Sequence, residues 1–230
     1  MSAPQGFFQI VFSGGVVGVL IVLTLLALSL VMVYLVVEQI LTLRKSELMP
    51  ADVSDQVRDF LRKGRAADAA QLCRGRPSLL SFVLLNGLAE LEGGWADVEK
   101  ALEEALAEQS ARLMRRIEYL SVIGNIAPMI GLLGTVTGMI FAFQRVAMSE
   151  GAAGAPELAE GIYQALVTTV GGLIVAIPSL AAFAVFRNRL DQFTAEAAYL
   201  AQHAFAPLKR RKHPVRSQPP KRRPPSQGTS

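Results

Sequence analysis

The sequence predicts an all-α integral membrane protein with three transmembrane helices, the second and third continuing as long cytoplasmic helices. Three observations predict it. Val11 to Val37, Tyr119 to Gln144 and Gly161 to Phe186 contain no Asp, Glu, Lys, Arg or His, and about 20 apolar residues in helical form suffice to cross a bilayer. The charges are segregated into the region between the first two stretches and the basic tail after the third. No Gly or Pro interrupts Ala96 to Ile123, so a charged helical pattern runs unbroken into the second stretch.

Taken in order, residues 1–10 are expected outside the membrane and 11–37 form the first span. A cleavable signal peptide is the competing reading, but MSAPQGFFQ has no basic residue and the apolar run is too long for such a leader. Phe7, Phe8 and Phe12 suit the interface beside an uncleaved anchor. Residues 38–118 form a cytoplasmic helical region. Asp52 or Ser54 is placed to cap a helix through Leu61 that Gly64 stops. A second helix from Ala66 to Cys73 puts Ala66, Ala69, Ala70 and Cys73 on one face. The run LLSFVLLNGLAEL after Pro77 is too short to span and reads as a buried helix that Gly93 and Gly94 break.

From Asp97, apolar residues at Val98, Leu102, Ala105, Leu106, Leu113 and Ile117 recur at helical steps. They lead into the second span, 119–145. A short outside loop, 146–160, precedes the third span, 161–186, whose helix extends inward over 187–206 until Pro207. Residues 207–230 are basic, Pro-rich and without apolar periodicity, as expected of a disordered tail. Phosphate backbones attract such basic clusters. The tail lacks interleaved aromatics for base stacking, so anionic lipid headgroups are the better match and no nucleic acid is expected.

Charge fixes the expected orientation. The chain has 23 Lys and Arg against 19 Asp and Glu, yet 1–37 and 146–160 hold no Lys or Arg. Arg44 and Lys45 follow the first span, Arg112, Arg115 and Arg116 precede the second, and Arg187 and Arg189 follow the third. Basic residues near span ends stay in the cytoplasm, which puts the N-terminus outside and the C-terminus inside. Cys73 falls in the inside region, where a buried thiol is expected and a disulfide is not. His203 and His213 read as solvated side chains.

Two spans carry polar and small residues. In the second, Gly131, Gly134 and Gly138, with Thr135 among them, recur at three- and four-residue steps. That stripe fits close helix packing of the GxxxG kind better than a polar pathway, though the two can coexist. In the third, Gln164, Thr168 and Thr169 are followed by Gly171, Gly172 and Pro178. The hydroxyls either bond back to their own helix or line a path, and Pro178 frees a main-chain carbonyl. The Leu- and Val-rich first span suits lipid. GLLGTVTG lacks the Lys-Ser/Thr ending of a phosphate loop, and there is no HExxH, paired cysteine or GxSxG. No enzyme, catalytic residue, metal site or cofactor is expected.

Ala127-Pro128, Gly131 and Gly134-Thr135-Val136, with Ala165-Leu166-Val167-Thr168-Thr169, Gly172 and Ala176-Ile177-Pro178, resemble the membrane signature of the ExbB/TolQ/MotA proton-channel family. ExbB and TolQ are the nearest in pattern. Val37-Glu38 with Arg44 resembles the end of that family's first span. The resemblance implies a homopentamer in the bacterial inner membrane that encloses helices of an ExbD- or TolR-like single-span partner. An Asp of that partner carries the proton, and threonines matching Thr135 and Thr169 line its surroundings. It further implies a TonB- or Tol-like energy transducer, or a MotA-like stator using protons or sodium. A non-conducting membrane scaffold is the rival from another class. One position departs from the family pattern, which has Glu before the Ala-Leu pair where this chain has Gln164. An amide hydrogen-bonds but does not take up a proton near neutral pH.

Overall fold

The computed structural model describes residues 15–44, 48–148 and 155–212, and every described regular element is helical. In chain order these are α1 (Gly15–Thr42), α2 (Ala51–Arg62), α3 (Ala66–Gly75), α4 (Leu79–Ala89), α5 (Trp95–Met148), α6 (Ala155–Ala204) and α7 (Ala206–Lys212). Three of them, α1, α5 and α6, are long and apolar enough to cross a membrane. The chain divides into two compact units, Met1–Met49 with Ala107–Glu196, and Pro50–Leu106 with Ala197–Ser230.

The first unit holds the apolar stretches. Its α1 continues past Glu38 to Thr42. Ile21, Leu25 and Met32 lie on a buried stripe, while Val16, Leu20, Leu23, Leu30 and Tyr34 are exposed, the pattern of a helix with one protein-facing side and hydrocarbon elsewhere. Pro128 in α5 and Pro178 in α6 sit inside continuous helices. Each removes one main-chain bond, and a membrane helix tolerates this where neighbouring groups compensate.

The second unit is a small helical core. α4 is buried along Leu80, Val83, Leu84 and Leu88, and Ser78 caps it by accepting from the Ser81 N–H at 3.0 Å. Gly87 is a point of close approach in this unit: an added Cβ would lie 2.7 Å from Leu102 Cδ2 and 2.9 Å from Phe205 Cζ. Phe205, fully buried, fills the centre.

Several local expectations change. α2 begins at Ala51 with Pro50 as its cap residue, so Asp52 and Ser54 lie inside its first turn and neither caps it. Asp52 instead accepts from Arg76 Nη1 at 2.6 Å, and that guanidinium holds its carboxyl below the usual range. Ser54 Oγ donates to Leu200 O at 2.9 Å. Gly64 does follow the helix, in the left-handed region at φ 72. His203 is half-buried, not solvated: its Nε2 lies 2.8 Å from Arg58 Nη1.

At the ends of the long helices, α5 runs to Met148 and α6 starts at Ala155, so both edges of the 146–160 segment are helical. α6 stops at Ala204, before Pro207. Pro207 then sits in the first turn of α7, where its missing N–H costs nothing, and the segment expected to be disordered from 207 is helical through Lys212. Phe7, Phe8, Phe12, His213 and most of the basic tail lie outside the described residues.

Candidate functional site

The site lies within the first unit, where α5 and α6 pack antiparallel along their small residues. Gly138 opposes Ala165, whose Cβ would be 2.9 Å from an added methyl. Gly134 opposes Thr168, with Cβ at 2.7 Å. Gly131 opposes the Thr168 and Gly172 main chain, and a Cβ on Gly172 would come within 2.6 Å of Ala127 O. At Gly131 and Gly172 backbone meets backbone, while Gly134 and Gly138 make room for the Thr168 and Ala165 side chains.

That closeness places hydroxyls against main-chain carbonyls. The single Thr168 Oγ1 hydrogen is shared between Ala165 O of its own helix at 2.7 Å and Gly131 O at 3.1 Å. Thr169 Oγ1 donates to the same Gly131 O, also at 3.1 Å. Thr135, 7% exposed, donates to Leu132 O of its own helix at 2.7 Å. Each hydroxyl is therefore committed as a donor and retains lone pairs to accept. Gln164 is half-buried, and its Nε2 donates to Glu160 Oε1 at 3.2 Å, one turn earlier.

Two residues singled out with this group stand apart from the α5–α6 contact. Gly171 faces α1, its nearest neighbour being Leu25 Cδ1 at 3.7 Å, an ordinary distance. Pro178 is exposed. The residue after it, Ser179, is fully buried and donates from Oγ to Leu120 O at 2.7 Å. Sequence reading missed Ser179, as well as Gly124 and Gly161. Ser179 continues the stripe of Gly172 and Ala176 at helical steps, the signal that would have found it. Gly124 would meet Leu180 Cγ at 2.5 Å, and Gly161 would meet Ala142 Cβ at 2.5 Å.

Among the described residues no group of His, Cys, Asp and Glu is arranged to hold a metal ion. The fold and this contact define a multi-pass helical membrane protein whose second and third spans join through a glycine-lined, hydroxyl-bonded seam. Residues 77–198 match the MotA/TolQ/ExbB proton channel family, and the chain belongs to that family. It is 30% identical over 180 residues to an ExbB homologue of Methanothermobacter thermautotrophicus, covering 78% of this chain and 62% of the relative. It is 32% identical over 178 residues to an ExbB-like biopolymer transport protein of Synechocystis, covering 76% and 82%. With the Tol-Pal system protein TolQ of Pseudomonas aeruginosa it shares 31% identity over 116 residues, half of each chain. The chain thus spans under two thirds of the Methanothermobacter relative's length.

Proposed function

We propose that this chain is the channel-forming subunit of a proton-driven motor, an ExbB/TolQ-like biopolymer transport subunit completed by an ExbD/TolR-like single-span partner whose Asp carries the proton. The observation that carries the reading is the convergence of Thr168 and Thr169 on Gly131 O in spans free of ionisable groups. Such a seam has hydroxyls but no titratable group, so the titratable group belongs to the partner. Because each hydroxyl already donates to a carbonyl, it meets a carboxyl group as an acceptor and favours the protonated acid over the carboxylate. A protonated acid also loses the charge that is costly in hydrocarbon, and its helix is then free to move against the Thr135 and Thr169 surface.

Each proton crossing 100 mV releases about 2.3 kcal/mol, and a few suffice for a conformational step. The work passes outward to a TonB-like transducer. In this reading the subunit is a homopentamer in the inner membrane, its N-terminus outside and its basic residues against cytoplasmic lipid headgroups, and it binds no nucleic acid and catalyses no reaction. Gly131, Gly134, Gly138 and Gly172 hold the seam, Gly171 seats the first span, and Thr135, Thr168, Thr169 and Gln164 border the path.

The test is proton leak in vesicles carrying the subunit with its acid-bearing partner. Thr135→Val combined with Thr169→Val removes both acceptors at nearly constant volume and is expected to abolish the leak; an undiminished leak refutes the assignment. A second reading, a non-conducting scaffold, draws on the same bonds, since every threonine hydroxyl is already satisfied by main chain. It predicts that Gly134→Leu destroys assembly while the threonine changes alter nothing.

A further inference from the structure

One polar line on α6 runs on from the seam toward the start of the helix. Glu160, Gln164 and Thr168 recur every four residues and so share one stripe of the helix. Gln164 Nε2 is bonded to Glu160, which leaves the Gln164 carbonyl oxygen free to accept. Beside Gln164 and Thr168 lies a cavity of about 50 Å³ between the three spans, walled by Gly18 and Ile21 of α1 and by Thr137 and Phe141 of α5. A water takes up roughly 30 Å³ and needs two or more polar partners, so there is room for one or two.

The lining supplies those partners as acceptors. Thr137 Oγ1 donates to Leu133 O at 2.8 Å and Thr168 Oγ1 to Ala165 O at 2.7 Å, so each retains lone pairs, as does the Gln164 carbonyl. These three acceptors, set in an otherwise apolar wall, can orient a water molecule. The ionisable group tied to this lining is Glu160, through its 3.2 Å bond to Gln164. Among the described side chains, Arg145 lies in the last turn of α5, and α1 carries no charge from Gly15 to Val37.

We propose that this cavity is a hydration site within the subunit and that Glu160 loads protons into it, so that protons reach the threonine seam through this chain. The inference rests on the channel reading above. The Glu160 carboxylate takes a proton from water at the end of the span. As the acid, it gives that proton to the first cavity water, which releases one of its own to the next. At each oxygen one O–H bond forms and one breaks, and no electrons are exchanged. Gln164 carries no proton; it fixes Glu160 through its N–H and the first water through its carbonyl. Thr168 accepts from the last water and points the proton at the seam that the partner's acid reaches.

Two measurements test this. In vesicles holding the complex and a trapped pH dye, Glu160→Gln and Gln164→Leu are each expected to cut proton flux at least tenfold with the subunits still copurifying. Separately, in a chain that keeps Glu160, Gln164→Cys is expected to react with an impermeant cationic methanethiosulfonate added from the loop side. Leu166→Cys, on the exposed apolar face, is expected to stay unlabelled, and the native Cys73 is buried. Full flux with Glu160→Gln, or a Gln164→Cys as silent as Leu166→Cys, overturns the cavity route and leaves the channel reading standing. An unsubstituted complex that passes no protons while Gln164→Cys labels overturns the channel reading, and the route falls with it.

Discussion

Gly171 and Gly172 are neighbours in sequence, yet alanine should act on them in opposite directions. A methyl at Gly172 would sit 2.6 Å from Ala127 O and 3.3 Å from Gly131 Cα, both main chain, which no side-chain rotation can relieve. Reaching an ordinary separation of 3.4 Å requires α5 and α6 to part by about 0.8 Å. The Thr168 and Thr169 bonds to Gly131 O, both 3.1 Å, would then stretch to about 3.9 Å, beyond hydrogen-bonding range. Two hydrogen bonds in a membrane setting are worth about 0.6 kcal/mol each, and overpacking adds about 1–3 kcal/mol. Replacing a helical glycine by alanine returns up to about 1 kcal/mol of backbone entropy, so Gly172→Ala should be destabilising by about 1–3 kcal/mol. At Gly171 the same methyl meets only Leu25 Cδ1 at 3.7 Å. There the entropy gain stands unopposed, and Gly171→Ala should be neutral or stabilising by up to about 1 kcal/mol. Reversible unfolding in mixed micelles, followed by far-UV circular dichroism, compares the two. Equal midpoints for the two variants would refute the seam geometry.

Two further outcomes concern the second unit. Phe205→Ala removes its fully buried central side chain and should cost about 3–5 kcal/mol, read as early melting of the region 50–106 in hydrogen exchange; protection unchanged there would contradict the packing. Burial pushes the Cys73 thiol up to about 11, so it stays protonated at neutral pH and should resist N-ethylmaleimide at pH 7.5 until detergent unfolds the chain. Because the folded form holds that proton longer than an unfolded thiol does, this group's contribution to stability falls as pH climbs from the ordinary thiol range toward 11. Rapid native labelling at pH 7.5 would show that Cys73 is not enclosed.

The spans were legible because hydrocarbon admits so few residue types. A helix crossing lipid must satisfy its main chain internally and expose apolar side chains, so charge-free runs alone reveal α1, α5 and α6. The absence of Gly and Pro from Ala96 to Ile123 likewise announced one continuous helix. Glycines at Gly131, Gly134 and Gly138 were visible as a stripe, since helical periodicity places them on one face whatever they touch.

Sequence by itself determined where the long apolar helices run, that they are apolar enough for the membrane, and that no ionisable side chain lies in the middle of those spans. Only tertiary structure decided what each face meets. It set Gly172 against α5 and Gly171 against α1, buried Ser179 while exposing Pro178, gave Gly131 O two threonine donors, and linked Gln164 to Glu160 beside a cavity. The reason is geometric: composition and period fix a helix and its stripes, but its rotation about its own axis is chosen by packing with distant residues, and that choice decides whether a hydroxyl meets lipid, water or a carbonyl.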